Sequence, residues 1–314
     1  MRILILGAGA TGGYFGGRLA QAGVDVSFLV RPARAARLQR DGLRIRSPRG
    51  DAAIAVKTLT VEALPGAAQA RPFDLVLLSC KAYDLDSALE AVAPAVLDGT
   101  SVLPILNGLR HYRALDARFG AERVIGGLCF ISAVLDADGA IQHLAKPASL
   151  TFGERDGRGA DSARVRALAE ACTQAEVDHL AAPRIAQEQW IKYTFLTALA
   201  SATCLMRAPI GRIVASDDGV TLVRGLYAEC TAVAAAAGEP VPEAAQASAL
   251  QLLTQPGSPM KASMLRDLEA GQQVEAQQIV GDMLARARSA GHAAPLLMAA
   301  YCHLQAYQAG LPAR

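Results

Sequence analysis

Six residues near the start of the chain, Gly7-Ala8-Gly9-Ala10-Thr11-Gly12, have the spacing G-x-G-x-x-G, which can hold an anion without using a side chain. An apolar run comes immediately before them and a helical pattern immediately after, the context that gives this spacing meaning. Gly7 permits a tight turn, Gly9 lets the backbone approach a pyrophosphate, and Gly12 lets the helix pack closely on the strand. Free N–H groups at the helix start then face the anion. A glycine-rich turn that binds nothing is the plainer alternative. The next strand-like run ends in Leu29-Val30-Arg31, followed by Arg34, with no acid. An NAD site wants Asp or Glu there for the ribose 2′-hydroxyl, whereas a guanidinium pairs bidentately with a 2′-phosphate. The expected cofactor is NADPH, and an ordinary solvated Arg at a strand end is the competing explanation.

These residues need a frame to position them. Strand-like runs at 2–6, 25–30, 73–79, 101–106 and 124–130 alternate with helical patterns, clearest at 11–22 and 85–96. Gly23 is a natural stop for the first helix. Residues 43–46 and 53–56 flank a Ser-Pro-Arg-Gly-Asp turn and read as a hairpin. Strands separated by helices predict a parallel, doubly wound sheet. After about residue 183 the pattern turns to helices at 185–205, 219–237, 243–254, 274–290 and 296–309, with Pro-containing breaks between several of them. The expected fold class is α/β, with a Rossmann-type doubly wound sheet over 1–183 and an all-helical domain over 184–314.

Composition narrows the function classes. The chain has 314 residues, 52% hydrophobic and 19% charged, a length that fits about two domains at roughly 100–200 residues each. Lys and Arg total 31 against 29 Asp and Glu, a dispersed balance of +2, so no nucleic-acid footprint is expected. Cys80, Cys129, Cys172, Cys204, Cys230 and Cys302 lie far apart with no C-x-x-C pair, as reduced thiols in a cytosolic protein do. The His residues have no metal-ligand spacing, and no metal is expected. The most apolar stretch, 195–206, is too short and too interrupted by Thr and Ser to span a bilayer. The N-terminal run lacks the apolar length and cleavage site of a secretory leader. A cytoplasmic protein without membrane or nucleic-acid partners is expected.

Other segments complete a pattern. Ser79-Cys80-Lys81-Ala82-Tyr83 follows a strand-like run, and Leu106-Asn107-Gly108 follows the next. Trp190-Ile191-Lys192 comes later, then Ser263-Met264-Leu265-Arg266-Asp267-Leu268-Glu269 with Glu275 and Gly281 beyond. With the glycine loop and Arg31, these landmarks run in order over nearly the whole chain, and the chain resembles the ketopantoate reductase (2-dehydropantoate 2-reductase) family. The resemblance implies an NADPH-dependent oxidoreductase that joins a Rossmann domain to a helical domain and reduces a 2-keto acid to a 2-hydroxy acid. The implied partner is a small-molecule 2-keto acid, and a homodimer is left open.

The same residues make chemical sense. Reducing a keto group needs a hydride and a proton for the developing alkoxide. Lys192, in a helix between Trp190 and Phe195, would be a better general acid if partly desolvated, and its charge would stabilise the oxyanion. The plainer explanation is a Lys whose stem covers apolar surface. Glu275 would hold that ammonium and accept from the hydroxyl product, and the resemblance adds a cofactor contact. A solvated Glu in a first helical turn is the alternative. Asn107, after a strand, belongs at the carboxyl edge of a parallel sheet where ligands collect. The resemblance gives it the nicotinamide ribose or the reacting carbonyl, and the alternative is a turn cap with Gly108. Lys81 has an equivalent edge position and resembles a cofactor-ribose contact; Ser132 matches a position that touches cofactor through its backbone. Ser263 resembles a substrate-carboxylate ligand at a helix start, with a plain N-cap as the competing duty.

The chain departs from the family on the substrate side. Where the family has Asn four and eight positions after the catalytic Lys, this sequence has Leu196 and Ala200, and where a third Asn precedes a loop glycine it has Ile210 before Gly211. Residues four and eight apart share a helix face, so Lys192 should look along an apolar wall. The expected substrate is ketopantoate or a more apolar 2-keto acid. Two other functions compete. A non-catalytic NADPH-binding redox sensor would not need Lys192, Glu275 and Ser263 together. An opine- or 6-phosphogluconate-type dehydrogenase would need its own motifs in the helical half, and none is found.

Overall fold

The computed structural model describes residues 1–312; residues 313 and 314, the end of the expected second domain, lie outside the described residues. The chain forms two compact units, one of Met1–Leu106 with His111–Ile185, the other of Asn107–Arg110 with the chain from Ala186 on.

The first unit opens with β1 (Arg2–Leu6), α1 (Ala10–Gln21), β2 (Asp25–Leu29), α2 (Pro32–Asp41), β3 (Leu43–Arg46), β4 (Ala52–Ile54) and β5 (Lys57–Leu59). It continues through α3 (Leu64–Ala70), β6 (Leu75–Leu78), α4 (Leu85–Val92), β7 (Ser101–Pro104) and α5 (His111–Phe119). Its last elements are β8 (Gly126–Leu135), β9 (Ile141–Gly153), α6 (Ala163–Gln174) and β10 (Asp178–Ala181). Five strands form a parallel sheet in the order β5-β2-β1-β6-β7, the nucleotide-binding arrangement in which the first strand is central. Ile3, Leu4 and Ile5 of β1 have no exposed surface, so both faces of the sheet are covered, as a parallel sheet requires.

The expected strand at 124–130 does not extend this sheet. Val124 makes a single parallel bridge to Val102. The chain then leaves as β8 and pairs antiparallel with β9 in a second sheet. That sheet has the order β10-β9-β3-β4, with β3 and β10 sharing one edge of the long β9 at opposite ends. The expected hairpin is therefore real as β3 and β4, but it serves the second sheet.

Helix α1 explains how the two sheets coexist. A Cβ on Gly16 would stand 2.8 Å from Phe28 and 2.9 Å from Ile5 of the first sheet, and one on Gly17 would stand 2.7 Å from Leu43 of the second. Gly12 likewise sits against Ile5 and the Ser79 hydroxyl, and Gly13 against Ile141. Glycines at i and i+4 share a face, so α1 offers one bare stripe to each sheet.

The second unit is helical: α7 (Ile185–Met206), α8 (Ile210–Ile213), α9 (Gly219–Ala236), α10 (Glu243–Leu253), α11 (Ser263–Glu269), α12 (Asp282–Ser289) and α13 (Pro295–Ala309). Ala198, Ala200, Ser201, Ala202, Thr203 and Cys204 of α7 are all fully buried, as expected of a helix apolar on every side. Val223, Leu226 and Cys230 of α9, Leu265, Met283 and Leu297 join the same core. The Glu229 carboxylate accepts from the Leu296 and Leu297 N–H groups at 3.0 and 2.8 Å, capping the start of α13. The expected helix at 274–290 differs at its beginning. Gln277–Gly281 is a π-helical turn that runs into α12, and Glu275 precedes it.

Candidate functional site

In the first unit, the glycine loop leaves β1 and enters α1. Gly7 has φ +82°, a conformation that favours glycine, and its N–H donates to the Leu29 carbonyl at 2.9 Å. Gly12 has no room for a side chain between β1 and Ser79. Gly9 is the opposite case: it is the N-cap of α1, no side chain caps the helix, and a Cβ there would meet nothing within 4 Å. The first-turn N–H groups of Ala10, Thr11 and Gly12, just beyond Ala8 and Gly9, thus have no side-chain cap and carry the positive end of the helix dipole. An anion of pyrophosphate type fits such a cradle.

Arg31 follows β2 as the N-cap of α2, with Pro32 next. It is exposed, and among the described residues no partner for its guanidinium is found. Arg34 is tied down instead, donating to the Ala8 and Gly139 carbonyls at 3.1 Å each. Burial, with Arg37 and Arg44 close by, lowers its pKa from the ordinary arginine value, so this corner favours negative charge. Lys81 lies three residues beyond β6 at the same carboxyl edge, in extended conformation before a 3₁₀ turn. Ser132 falls at the break in register between Ile131 and Ala133 of β8, a kind of irregularity often found beside active sites.

The second unit brings Lys192 and Asn107 together. The half-buried Lys192 Nζ donates to Asn107 Oδ1 at 3.2 Å. Glu275 is only 5% exposed, so it is not the solvated first-turn Glu considered from sequence. Its backbone carbonyl accepts from the Ile279 N–H at 3.1 Å. Ser263 is the first residue of α11, but Ala262 is the N-cap and no side chain caps the helix, so the plain-cap duty is not used. Sequence reasoning missed Tyr193, Asp282 and Arg286, which are joined by hydrogen bonds; the only clue was the aromatic next to Lys192.

The substitutions on the substrate side are unequal. Leu196 is half-buried, one turn beyond Lys192 on α7, whereas Ala200 and Ile210 are 0% exposed. The α7 hydroxyls do not replace the missing amides. At about 100° per residue, Thr194, Thr197 and Ser201 lie roughly 140–200° around the helix from Lys192. Thr203 is on the Lys192 face, but its hydroxyl donates to the Leu199 carbonyl at 2.7 Å, as Thr does within helices. Among the described residues no group of three or more His, Cys, Asp or Glu could hold a metal ion, and no helix is long and apolar enough to cross a membrane.

Known proteins match this arrangement in both units. The family model described as "Ketopantoate reductase PanE/ApbA" matches residues 3–157, and "Ketopantoate reductase PanE/ApbA C terminal" matches residues 184–308. The chain belongs to the ketopantoate reductase family. Its relatives include an uncharacterized oxidoreductase, YkpB, of Bacillus subtilis (strain 168), 37% identical over 309 residues, 98% of this chain and 99% of that one. The 2-dehydropantoate 2-reductase of Mesorhizobium japonicum is 30% identical over 301 residues, 89% of each chain. The crystal structure of 2-dehydropantoate 2-reductase from Geobacter metallireducens GS-15 superposes with a TM-score of 0.87 at 32% identity, covering 98% of this chain and 99% of that one. The ketopantoate reductase family is one of oxidoreductases acting on 2-keto or 2-hydroxy acids, and this chain is an enzyme of that class. With both halves matched to one family, the opine-type alternative has no support.

Proposed function

We propose that this ketopantoate reductase family member uses NADPH to reduce a 2-keto acid, and that its preferred substrate is more apolar than 2-dehydropantoate. The observation carrying the proposal is the hydrogen bond between Lys192 and Asn107, with the buried Glu275 in the same unit. The bound cofactor supplies a hydride to the substrate's carbonyl carbon. Lys192 donates a proton to the carbonyl oxygen as negative charge builds there, and its ammonium stabilises that charge until the proton moves. Asn107 accepts from Lys192 through Oδ1, which leaves its amide N–H groups for a substrate or ribose oxygen. Glu275 holds the ammonium side of the site and accepts from the hydroxyl product. Ser263 takes the substrate carboxylate.

For the cofactor, the glycine loop would hold the pyrophosphate, Arg31 the 2′-phosphate, and Lys81 and Ser132 the neighbouring ribose. An unpartnered Arg where an NAD enzyme needs an acid supports NADPH over NADH. The half-buried Leu196 supports an apolar substrate, because it cannot pair with the hydroxyl of 2-dehydropantoate, whereas Ala200 and Ile210 are sealed in the helical core. Among the described residues none of the six cysteines forms a disulfide, which supports a reducing, cytoplasmic setting.

The test is NADPH oxidation against a panel of 2-keto acids including 2-dehydropantoate, 2-ketoisovalerate and phenylpyruvate, with Lys192→Ala alongside. The substitution should lower turnover about 10²–10⁴-fold with NADPH affinity little changed. A Lys192→Ala enzyme with near-normal turnover on the best substrate would refute the proton-donor role.

A further inference from the structure

Tyr193 is the chain neighbour of Lys192, yet its hydroxyl serves a separate network. It lies 2.8 Å from the Ile279 carbonyl and 3.1 Å from Asp282 Oδ2. Asp282 accepts from Arg286 Nε at 2.8 Å, and the Arg286 guanidinium sits over the Trp190 ring, 5.5 Å from its centre. The Trp190 and Tyr193 rings are 5.7 Å apart, which returns the network to α7. Tyr193 is almost completely buried. Burial, with Asp282 beside it, pushes the phenol well above its ordinary value, so the hydroxyl remains a donor. It has one proton and two acceptors, a carbonyl and a carboxylate, and both constrain it.

The carbonyl belongs to the π turn. There the Gly281 N–H reaches back five residues to the Ala276 carbonyl at 2.9 Å, a wider ring than the α-helix makes and a feature frequent at functional sites. The same turn meets the Asn107–Arg110 segment. Gly108 has φ +77°, and a Cβ on it would stand 2.7 Å from the Gln278 carbonyl oxygen, so only glycine allows that approach. Three contacts thus meet at one turn, and each is near a residue of the proposed chemistry. Asn107 precedes Gly108, Lys192 precedes Tyr193, and Glu275 lies two residues before Gln277.

We infer that the interlock of Tyr193, the π turn and Gly108 fixes Lys192, Asn107 and Glu275 relative to one another, and that Tyr193 is a positioning residue for proton transfer. This rests on the proposed role of Lys192 as proton donor. Core packing alone would be satisfied by phenylalanine at 193; the hydroxyl, with its two partners, is what packing does not require.

The experiment compares the wild type with Tyr193→Phe, Asp282→Asn, their double variant and Lys192→Ala. The substrate is whichever of 2-dehydropantoate and 2-ketoisovalerate the wild type turns over faster. Tyr193→Phe should lower kcat about tenfold, because small misplacements of a reacting group are costly, while KM for the keto acid and the Kd for NADPH stay within about twofold. Asp282→Asn keeps an acceptor for Tyr193 but loses the charge pair with Arg286, and should give a smaller fall of the same kind. The double variant should lose no more than Tyr193→Phe, since residues in one network are not additive. A lower Tm with unchanged kcat in Tyr193→Phe overturns the inference and leaves Lys192 standing if Lys192→Ala is impaired. Near-normal Lys192→Ala, or a wild type inactive on both acids, removes the proposed function and the inference with it. If Tyr193→Phe does not fold, unchanged kcat in a folded Asp282→Asn is the overturning result.

Discussion

Leu196→Asn separates the apolar-substrate proposal from 2-dehydropantoate itself. Leu196 is half-buried and one helical turn from Lys192, so an amide there has both water and substrate within reach. Ala200, 0% exposed, offers an amide neither. A hydrogen bond to the hydroxyl of bound 2-dehydropantoate is worth about 1–1.5 kcal/mol net, or roughly five- to tenfold in kcat/KM. Losing the leucine removes apolar contact from a branched 2-keto acid, at about 1–2 kcal/mol. Together these shift the ratio of the two kcat/KM values about a hundredfold towards 2-dehydropantoate. Ala200→Asn should shift it little and should cost about 1–3 kcal/mol of stability by overpacking. Initial rates with 2-dehydropantoate and 2-ketoisovalerate, for the wild type and both variants, with thermal melts, provide every quantity needed. A wild type that strongly prefers 2-dehydropantoate, with a ratio unmoved by Leu196→Asn, would show that the pocket recognises the hydroxyl by other means.

Arg31→Ala should erase a preference for NADPH over NADH of at least about tenfold, since a charge-assisted contact is worth roughly 1.5–3 kcal/mol; equal wild-type Kd values for the two cofactors would end that assignment. Gly9→Ala should leave the melting temperature nearly unchanged yet weaken NADPH binding, whereas Gly16→Ala, crowding Phe28 and Ile5, should cost about 1–3 kcal/mol of stability. Arg164 donates to both carboxylate oxygens of Glu154 at 2.7 and 2.6 Å; burial raises the Glu154 pKa, but Arg164 and Ser162 outweigh it, so the net shift is downward. A carboxylate lowered in this way stabilises the fold above its unfolded pKa of about 4.3 and loses that effect as pH falls through its folded value. Arg164→Ala should therefore cost about 3–5 kcal/mol near neutral pH and much less near pH 3, and equal penalties in urea titrations at the two pH values would refute this.

Four strands of the parallel sheet, β1, β2, β6 and β7, were legible in the sequence because each is a local apolar run bounded by helices and glycines, whereas the edge strand β5, the short and partly exposed Lys57-Thr58-Leu59, was not expected. The helical half was legible for the same reason, and α7 ends within one residue of its expected span. The second sheet was not. Its pairing joins β3 to β9 across about a hundred residues of chain, and β9 contains Lys146-Pro147 in an exposed stretch that breaks any strand pattern. Residues 124–130 carried a correct strand signal assigned to the wrong sheet, because alternation reports extended backbone and not its partner. At the site, Lys192, Asn107 and Glu275 were visible as residue types in known surroundings. The π turn was not visible, since one extra residue in a helical ring leaves no compositional mark. The Tyr193 partners were hidden with it.

The bare stripes of α1 have a mechanical consequence. A helix that touches two sheets through its own backbone cannot shift against either without opening a gap on one side and a clash on the other. Its interior amides should then exchange with solvent only when the whole unit opens. The aim of its N-terminus is consequently set at folding, before any ligand arrives. Little ordering entropy remains to be lost when a phosphate docks there, and no loop closure need precede capture. Adaptation to a different dinucleotide has to come from the exposed rim at Arg31, since the helix itself has no spare direction in which to move.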